Sequence, residues 1–212
     1  MSVFRQLMMN RIKFKQVDYI KSTRTQYIVT DYKPQNNTYV ETYVRFSDTF
    51  KDTETYGGNG NLFGSGGNNK AYGCNFGGSA TEYNRIYFWV TPYNGSSSVR
   101  YIINNDYNQI QKLEITSSLF VWGSNSNYKQ TPNSDSNINL CLFGHNEDGT
   151  AVPFTCYDME IHYYFKIWEG EDLVRNYIPV YNTITQKYGL YDTVTKTFVG
   201  NSGTGDFLGG ND

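Results

Sequence analysis

The chain has 212 residues and a formal net charge of -2, which excludes field-driven binding to nucleic acid or to an acidic membrane surface. No run approaches the ~20 apolar residues of a membrane-spanning helix. Tyr 20, Gly 20 and Phe 13, with only 18% charged residues, favour pleated strands joined by frequent turns.

The N-terminus, "MSVFRQLMMNRIKFK", has no uninterrupted apolar core and no small-residue cleavage site. No secretory signal is expected from it. Phe4, Leu7, Met8 and Ile12, with Met9 beside them, fall at roughly helical spacing among basic residues. Residues 1–16 are therefore read as a docking arm, with a β-domain over 17–212. The arm's apolar side chains argue against a merely frayed end.

Strand signals start at "VDYIKSTRTQYIVT". In "TYVETYVRF", Tyr39, Glu41, Tyr43 and Arg45 alternate with Val40, Thr42, Val44 and Phe46, a period-2 pattern. Gly57 to Gly78 is glycine-dense and is read as a long loop with a short strand at Asn61 to Gly64. "RIYFWV", "VRYIIN", "QKLEIT", "LFVWG" and "INLCLFG" follow as strands. "MEIHYYFKIW" is the longest, and "LVRNYIPVY" comes next. Tyr188 to Asp192 and Lys196 to Val199 form a closing hairpin, with a turn at Asn201 to Gly205. Many short strands with turn signals predict an all-β, two-sheet antiparallel sandwich. Cys74, Cys141 and Cys156 are odd in number and widely spaced, so free thiols are expected.

Several stretches resemble the concanavalin A-like (laminin G-like) jelly-roll domains common in tailed phages and mobile elements of gut bacteria. At the start these are Tyr19-Ile20, Ser22-Thr23, Thr25 to Ile28, Thr30 and Tyr32-Lys33-Pro34. Val29 and Asp31 depart from that family's common Asp and Gly. Leu62-Phe63-Gly64 and Leu142-Phe143-Gly144 are similar to two of its strand ends. "YYFKIWEGEDLVRNYIPV" and "YGLYDTVTKTFVGNSGTGDF" resemble its most recognisable block. The resemblance implies a jelly roll whose C-terminal hairpin closes beside the opening strands. Gly203 and Gly205 would free the turn, Asp192 would cap one, and Arg175 would pair with a local acid.

For chemistry, Asp158, Glu160 and His162 share one face of a strand, with Met159, Ile161, Tyr163, Phe165 and Ile167 on the other. This D-x-E-x-H pattern lacks the second glutamate of the E-x-D-x-E glycosidases on the same broad fold, so a polar outer face is the expected role. "GHNEDG" offers His145, Asn146, Glu147 and Asp148 in one loop. It lacks EF-hand spacing, so no cofactor is expected and calcium stays an open alternative. A carbohydrate contact is expected in the loop of "VWGSNSNY", at Trp122, Asn125, Asn127 and Tyr128, which combine flat apolar area with amide groups. The Gly57 to Gly78 loop, with Asn59, Asn61, Asn68, Asn69 and Tyr72, is a second such surface. Trp89 and Trp168 are read as packing.

The expectation is a non-enzymatic phage virion protein, a fibre or surface decoration. It would be made in the host cytoplasm without a signal peptide and held to other virion proteins by its arm. A homo-oligomer is expected, a trimer by analogy with fibres. The outward domain would bind a cell-surface or mucus glycan, with neither nucleic acid nor membrane as partner. A glycan-cleaving enzyme and a virion component with no ligand are the alternatives.

Overall fold

A computed structural model describes residues 13–46, 59–67, 70–77, 85–92, 97–102, 108–116, 119–128, 136–153 and 158–212. Among these, every regular element is a strand. The first are β1 (Phe14–Gln16), β2 (Tyr19–Ser22), β3 (Ile28–Val29), β4 (Thr38–Phe46), β5 (Asn59–Gly67) and β6 (Lys70–Gly77). Then come β7 (Arg85–Pro92), β8 (Ser97–Ile102), β9 (Gln111–Ile115), β10 (Leu119–Trp122), β11 (Asn125–Tyr128) and β12 (Cys141–Leu142). Last are β13 (Gly144–Glu147), β14 (Thr150–Pro153), β15 (Met159–Glu169), β16 (Asp172–Asn182), β17 (Lys187–Asp192), β18 (Thr197–Val199) and β19 (Leu208–Gly210).

They form a two-sheet jelly-roll sandwich. The larger sheet runs β11-β10-β9-β4-β15-β16-β17-β18, with β1 on β16, β2 on β15 and β19 on β2. The smaller runs β14-β13-β5-β6-β7-β8, with β12 joining β3 to β5. Among the described pairings only β13 with β5 is parallel.

Alternation builds the core. In β4, Thr38, Val40, Thr42, Val44 and Phe46 are buried and their neighbours half-buried, because one face of each strand meets the opposite sheet. Phe165 of β15 meets Phe63 of β5 edge-on across the sandwich, at 5.5 Å between centroids. Each such side chain contributes about 1.5–3 kcal/mol by leaving water. Cys74 and Cys141 are free and buried, and burial pushes both thiols up. Cys156 lies outside the described residues.

Four sequence readings are corrected. Residues 14–16 belong to the sheet, since β1 pairs with β16 and Phe14 stacks on Phe198 at 5.3 Å. Phe4, Leu7, Met8, Met9 and Ile12 lie outside the described residues. The glycine-dense stretch is the β5–β6 hairpin rather than a loop. Its glycines allow close packing: a Cβ on Gly64 would sit 2.5 Å from His145 Nδ1. Asn125 to Tyr128 form the edge strand β11, and Gly144 to Glu147 form β13.

The C-terminal segment closes the fold beside the opening strands, as the resemblance implies. β19 pairs with β2, and Asn201 Oδ1 accepts from the Tyr27 amide at 3.1 Å. Asp192, fully buried, caps its turn by accepting from the Val194 amide at 2.9 Å and the Asn176 amide at 3.0 Å. Arg175 pairs with Asp31 at 3.1 Å and Asp192 at 3.5 Å. Gly203 is required for close approach, since a Cβ there would meet the Thr25 carbonyl oxygen at 2.0 Å. Gly203→Ala is expected to cost about 1–3 kcal/mol, read as a lower urea midpoint with an unchanged slope.

Candidate functional site

The outer face of the larger sheet carries the densest polar and aromatic chemistry among the described residues. Register places it. On β15, Glu160 lies between Lys21 of β2 and Arg45 of β4, and His162 lies between Tyr19 and Tyr43. Further along, Lys166 faces Glu41 and Trp168 faces Tyr39, while Glu41 lies opposite Glu114 of β9. Because strand side chains alternate, these residues share the face opposite Ile161, Val44 and Ile20.

Two ion-pair networks result. In the first, Glu160 accepts from Arg45 Nε at 2.6 Å and from His162 Nε2 at 2.9 Å, and Lys21 Nζ lies 3.6 Å away. Lys21 also pairs with Asp158 at 3.3 Å. Asp212 lies 3.3 Å from Arg45 Nη2 and 3.4 Å from His162 Nδ1. Burial would raise the Glu160 carboxyl, but the hydrogen bonds from His162 and Arg45 outweigh it and hold the group below the usual range. In the second, the like-charged pair Glu41 and Glu114 is bridged by Lys112, at 3.2 and 2.8 Å. Glu41 also accepts from Tyr164 at 2.5 Å and Tyr39 at 3.1 Å. These bonds outweigh burial and lower the Glu41 carboxyl, while burial and the carboxylate raise both phenols.

Aromatic rings fill the space between the networks. Tyr39 stacks on Trp168 at 6.1 Å, Tyr19 on His162 at 5.2 Å, and Tyr43 meets Tyr163 and Tyr164 edge-on at 5.6 Å each. Lys166 Nζ lies 4.0 Å from the centre of the Tyr164 ring. Most of these side chains are half-buried, offering both flat apolar area and hydrogen-bonding edges.

The arrangement departs from acid–base machinery. A glycosidase needs one carboxyl kept protonated by a raised pKa. Glu160 is shifted the other way, and Asp158 is paired with Lys21. His162 is fully buried. Asp158, Glu160 and His162 do share the face of β15 opposite Ile161, but all three are buried within their ion-pair network.

The sequence-predicted contacts lie elsewhere. Trp122 is 1% exposed and packs on Phe46 at 5.9 Å. Its ring faces the core and has no free surface to offer a sugar, which corrects that reading. Asn125 is exposed on the edge strand β11. The side chains of Asn127, Tyr128 and Trp89 lie outside those described, as do residues 68–69. Asn61 and Tyr72 are buried in the smaller sheet. The residues 145–148 do not converge: His145 turns toward Gly64, buried Asn146 donates to the Asn139 carbonyl, and Glu147 and Asp148 point to solvent. Among the described residues no group of three or more His, Cys, Asp and Glu could hold a metal ion. Sequence reasoning missed Tyr39, Tyr43 and Tyr164 as a surface, although alternation already put Tyr39, Glu41, Tyr43 and Arg45 together. Joining them to β15 needs the strand pairing.

No protein-family model matches the chain, and no curated protein matches it. Among solved structures it is similar to the botulinum neurotoxin serotype G binding domain, with 11% identity, 73% of this chain covered and a TM-score of 0.42. It spans only 48% of that chain's length. A second structure of the type G receptor-binding domain is 9% identical, with 92% of this chain and 81% of that one covered and a TM-score of 0.42. A galectin of Caenorhabditis elegans is 13% identical, with 66% and 96% covered and a TM-score of 0.32. Likeness at this level says nothing about what this chain binds.

Because the Glu160 carboxyl is lowered in the folded state, its stabilisation is present above the ordinary glutamate pKa. It is lost as pH falls through the folded value. Glu160→Gln is expected to cost about 1–3 kcal/mol at neutral pH, since Arg45 and Lys21 lose their carboxylate. Urea unfolding from pH 7 to pH 3 should show the variant and the unaltered protein converging in acid.

Proposed function

We propose that the chain is a non-enzymatic, glycan-binding domain of a tailed-phage virion, with the outer face of β4 and β15 as its binding surface. One observation carries the binding reading: half-buried aromatic rings stand in register with paired charges on a single sheet face. A sugar presents an apolar C–H face and a rim of hydroxyls. Aromatic rings meet the first, and carboxylates, amines and phenols meet the second. The fixed positions of the polar groups, held by their own ion pairs, lower the cost of ordering them on binding.

The virion part of the proposal is supported by the resemblance of the opening and closing blocks to phage jelly-roll domains. In it, residues before β1 dock to other virion proteins, and the sandwich faces host or mucus glycans.

Purified full-length protein on a glycan array, with and without EDTA, tests the binding reading. Saturable binding to one glycan class, unaffected by EDTA, is expected. Tyr43→Ala should weaken it about tenfold. Incubation with the same glycans should release no reducing ends. Absence of any binding, or release of reducing ends, would contradict the proposal.

A further inference from the structure

Tyr163 sits where β15 changes partners. On one edge β15 pairs with β2 as far as His162, and with β16 only from Phe165 onward. On the other edge its register with β4 shifts between the same two residues. Tyr163 and Tyr164 are thus unpaired on both sides and form a bulge. Part of their backbone is still satisfied. The Tyr163 amide donates to the Asp18 carbonyl at 2.8 Å, and the buried Thr42 hydroxyl donates to the Tyr164 carbonyl at 2.8 Å.

Tyr163 has φ +60, a left-handed conformation unfavourable for a large side chain. Period-2 alternation would place it beside Ile161 and Phe165 in the core. The left-handed residue instead turns it out, leaving it 43% exposed. Phe143, also left-handed at φ +57, is fully buried against Phe207 at 5.3 Å. Burial repays its strain. Tyr163 is repaid only in part, by its edge-on contacts with Tyr43 and His162. Backbone strain that packing does not fully repay clusters at functional positions.

The surroundings define what the ring can take. Tyr43 and His162 hold it edge-on, at 5.6 and 5.7 Å. The nearby charges Lys21, Arg45, Asp158, Glu160 and Asp212 are already paired with one another. A charged ligand would have to break one of those pairs. An uncharged ring with an apolar face would not.

We infer that Tyr163 is the anchor of the binding face, held outward by its left-handed backbone to stack on the apolar face of a neutral pyranose residue. This rests on the glycan-binding reading above.

The test uses the full-length protein on immobilised neutral hexose oligosaccharides, beside sialylated and sulfated sets, with melting temperatures taken in parallel. The unaltered protein binds the neutral set. Tyr163→Asn, which tolerates the left-handed backbone, keeps or raises the melting temperature and weakens binding at least about tenfold. Tyr163→Phe restores binding to within about threefold. Binding by Tyr163→Asn at full strength overturns the anchor while leaving the glycan reading intact. A marked fall in its melting temperature makes Tyr163 a structural residue and overturns the inference too. Preference for the charged sets overturns the ligand class. No binding by the unaltered protein overturns the anchor and the glycan reading together.

Discussion

Strand β15 is flanked on both edges, by β4 along one and by β2 and then β16 along the other. That double pairing is the constraint from which the larger sheet follows. A strand held on both sides cannot slip by one residue without turning its whole apolar set to solvent. Met159, Ile161, Phe165 and Ile167, all fully buried, fix the register. Once the register is fixed, Glu160 must lie between Lys21 and Arg45, and Lys166 must face Glu41. The ion pairs are consequences of the pairing as much as supports for it. Their contribution to stability is modest for the half-buried cations, whereas removing a partner of Glu160 is costly because its carboxylate is almost out of water.

The same constraint creates the bulge. β2 ends as a partner of β15 at His162, and β16 takes over at Phe165. The two residues between must be accommodated without breaking the inward set. They are absorbed by one left-handed residue and by hydrogen bonds from Thr42 and to Asp18. A rigid sheet thereby presents an aromatic side chain at a position set by backbone geometry. Binding groups carried on such a scaffold need little reordering when a ligand arrives.

The fold was largely legible in the sequence, and the reasons can be traced to particular residues. Strict alternation in "TYVETYVRF" and the block from Tyr188 to Phe207 needed no tertiary information, and both form the elements expected. The β5–β6 hairpin was hidden because its glycines carry no alternating pattern. They are there for what packs against them, such as His145 over Gly64. The outer face of β4 and β15 was half legible. Alternation placed Tyr39, Glu41, Tyr43 and Arg45 on one side, and Asp158, Glu160 and His162 on one side of another strand. Only pairing across 115 residues of chain brings Arg45 to Glu160. Trp122 misled because a tryptophan beside Gly and Asn looks like a loop contact. It is the last residue of a strand whose inward face meets Phe46. Tyr163 was assigned to the core by parity, and a single left-handed φ reversed it.

The most direct test of the central claim is the location of a bound sugar. A crystal structure of the protein with the tightest oligosaccharide from the array should place a pyranose over the outer face of β4 and β15, against Tyr43 and Tyr163. A sugar seated instead at the β10–β11 edge near Asn125, or on the smaller sheet, would contradict the account.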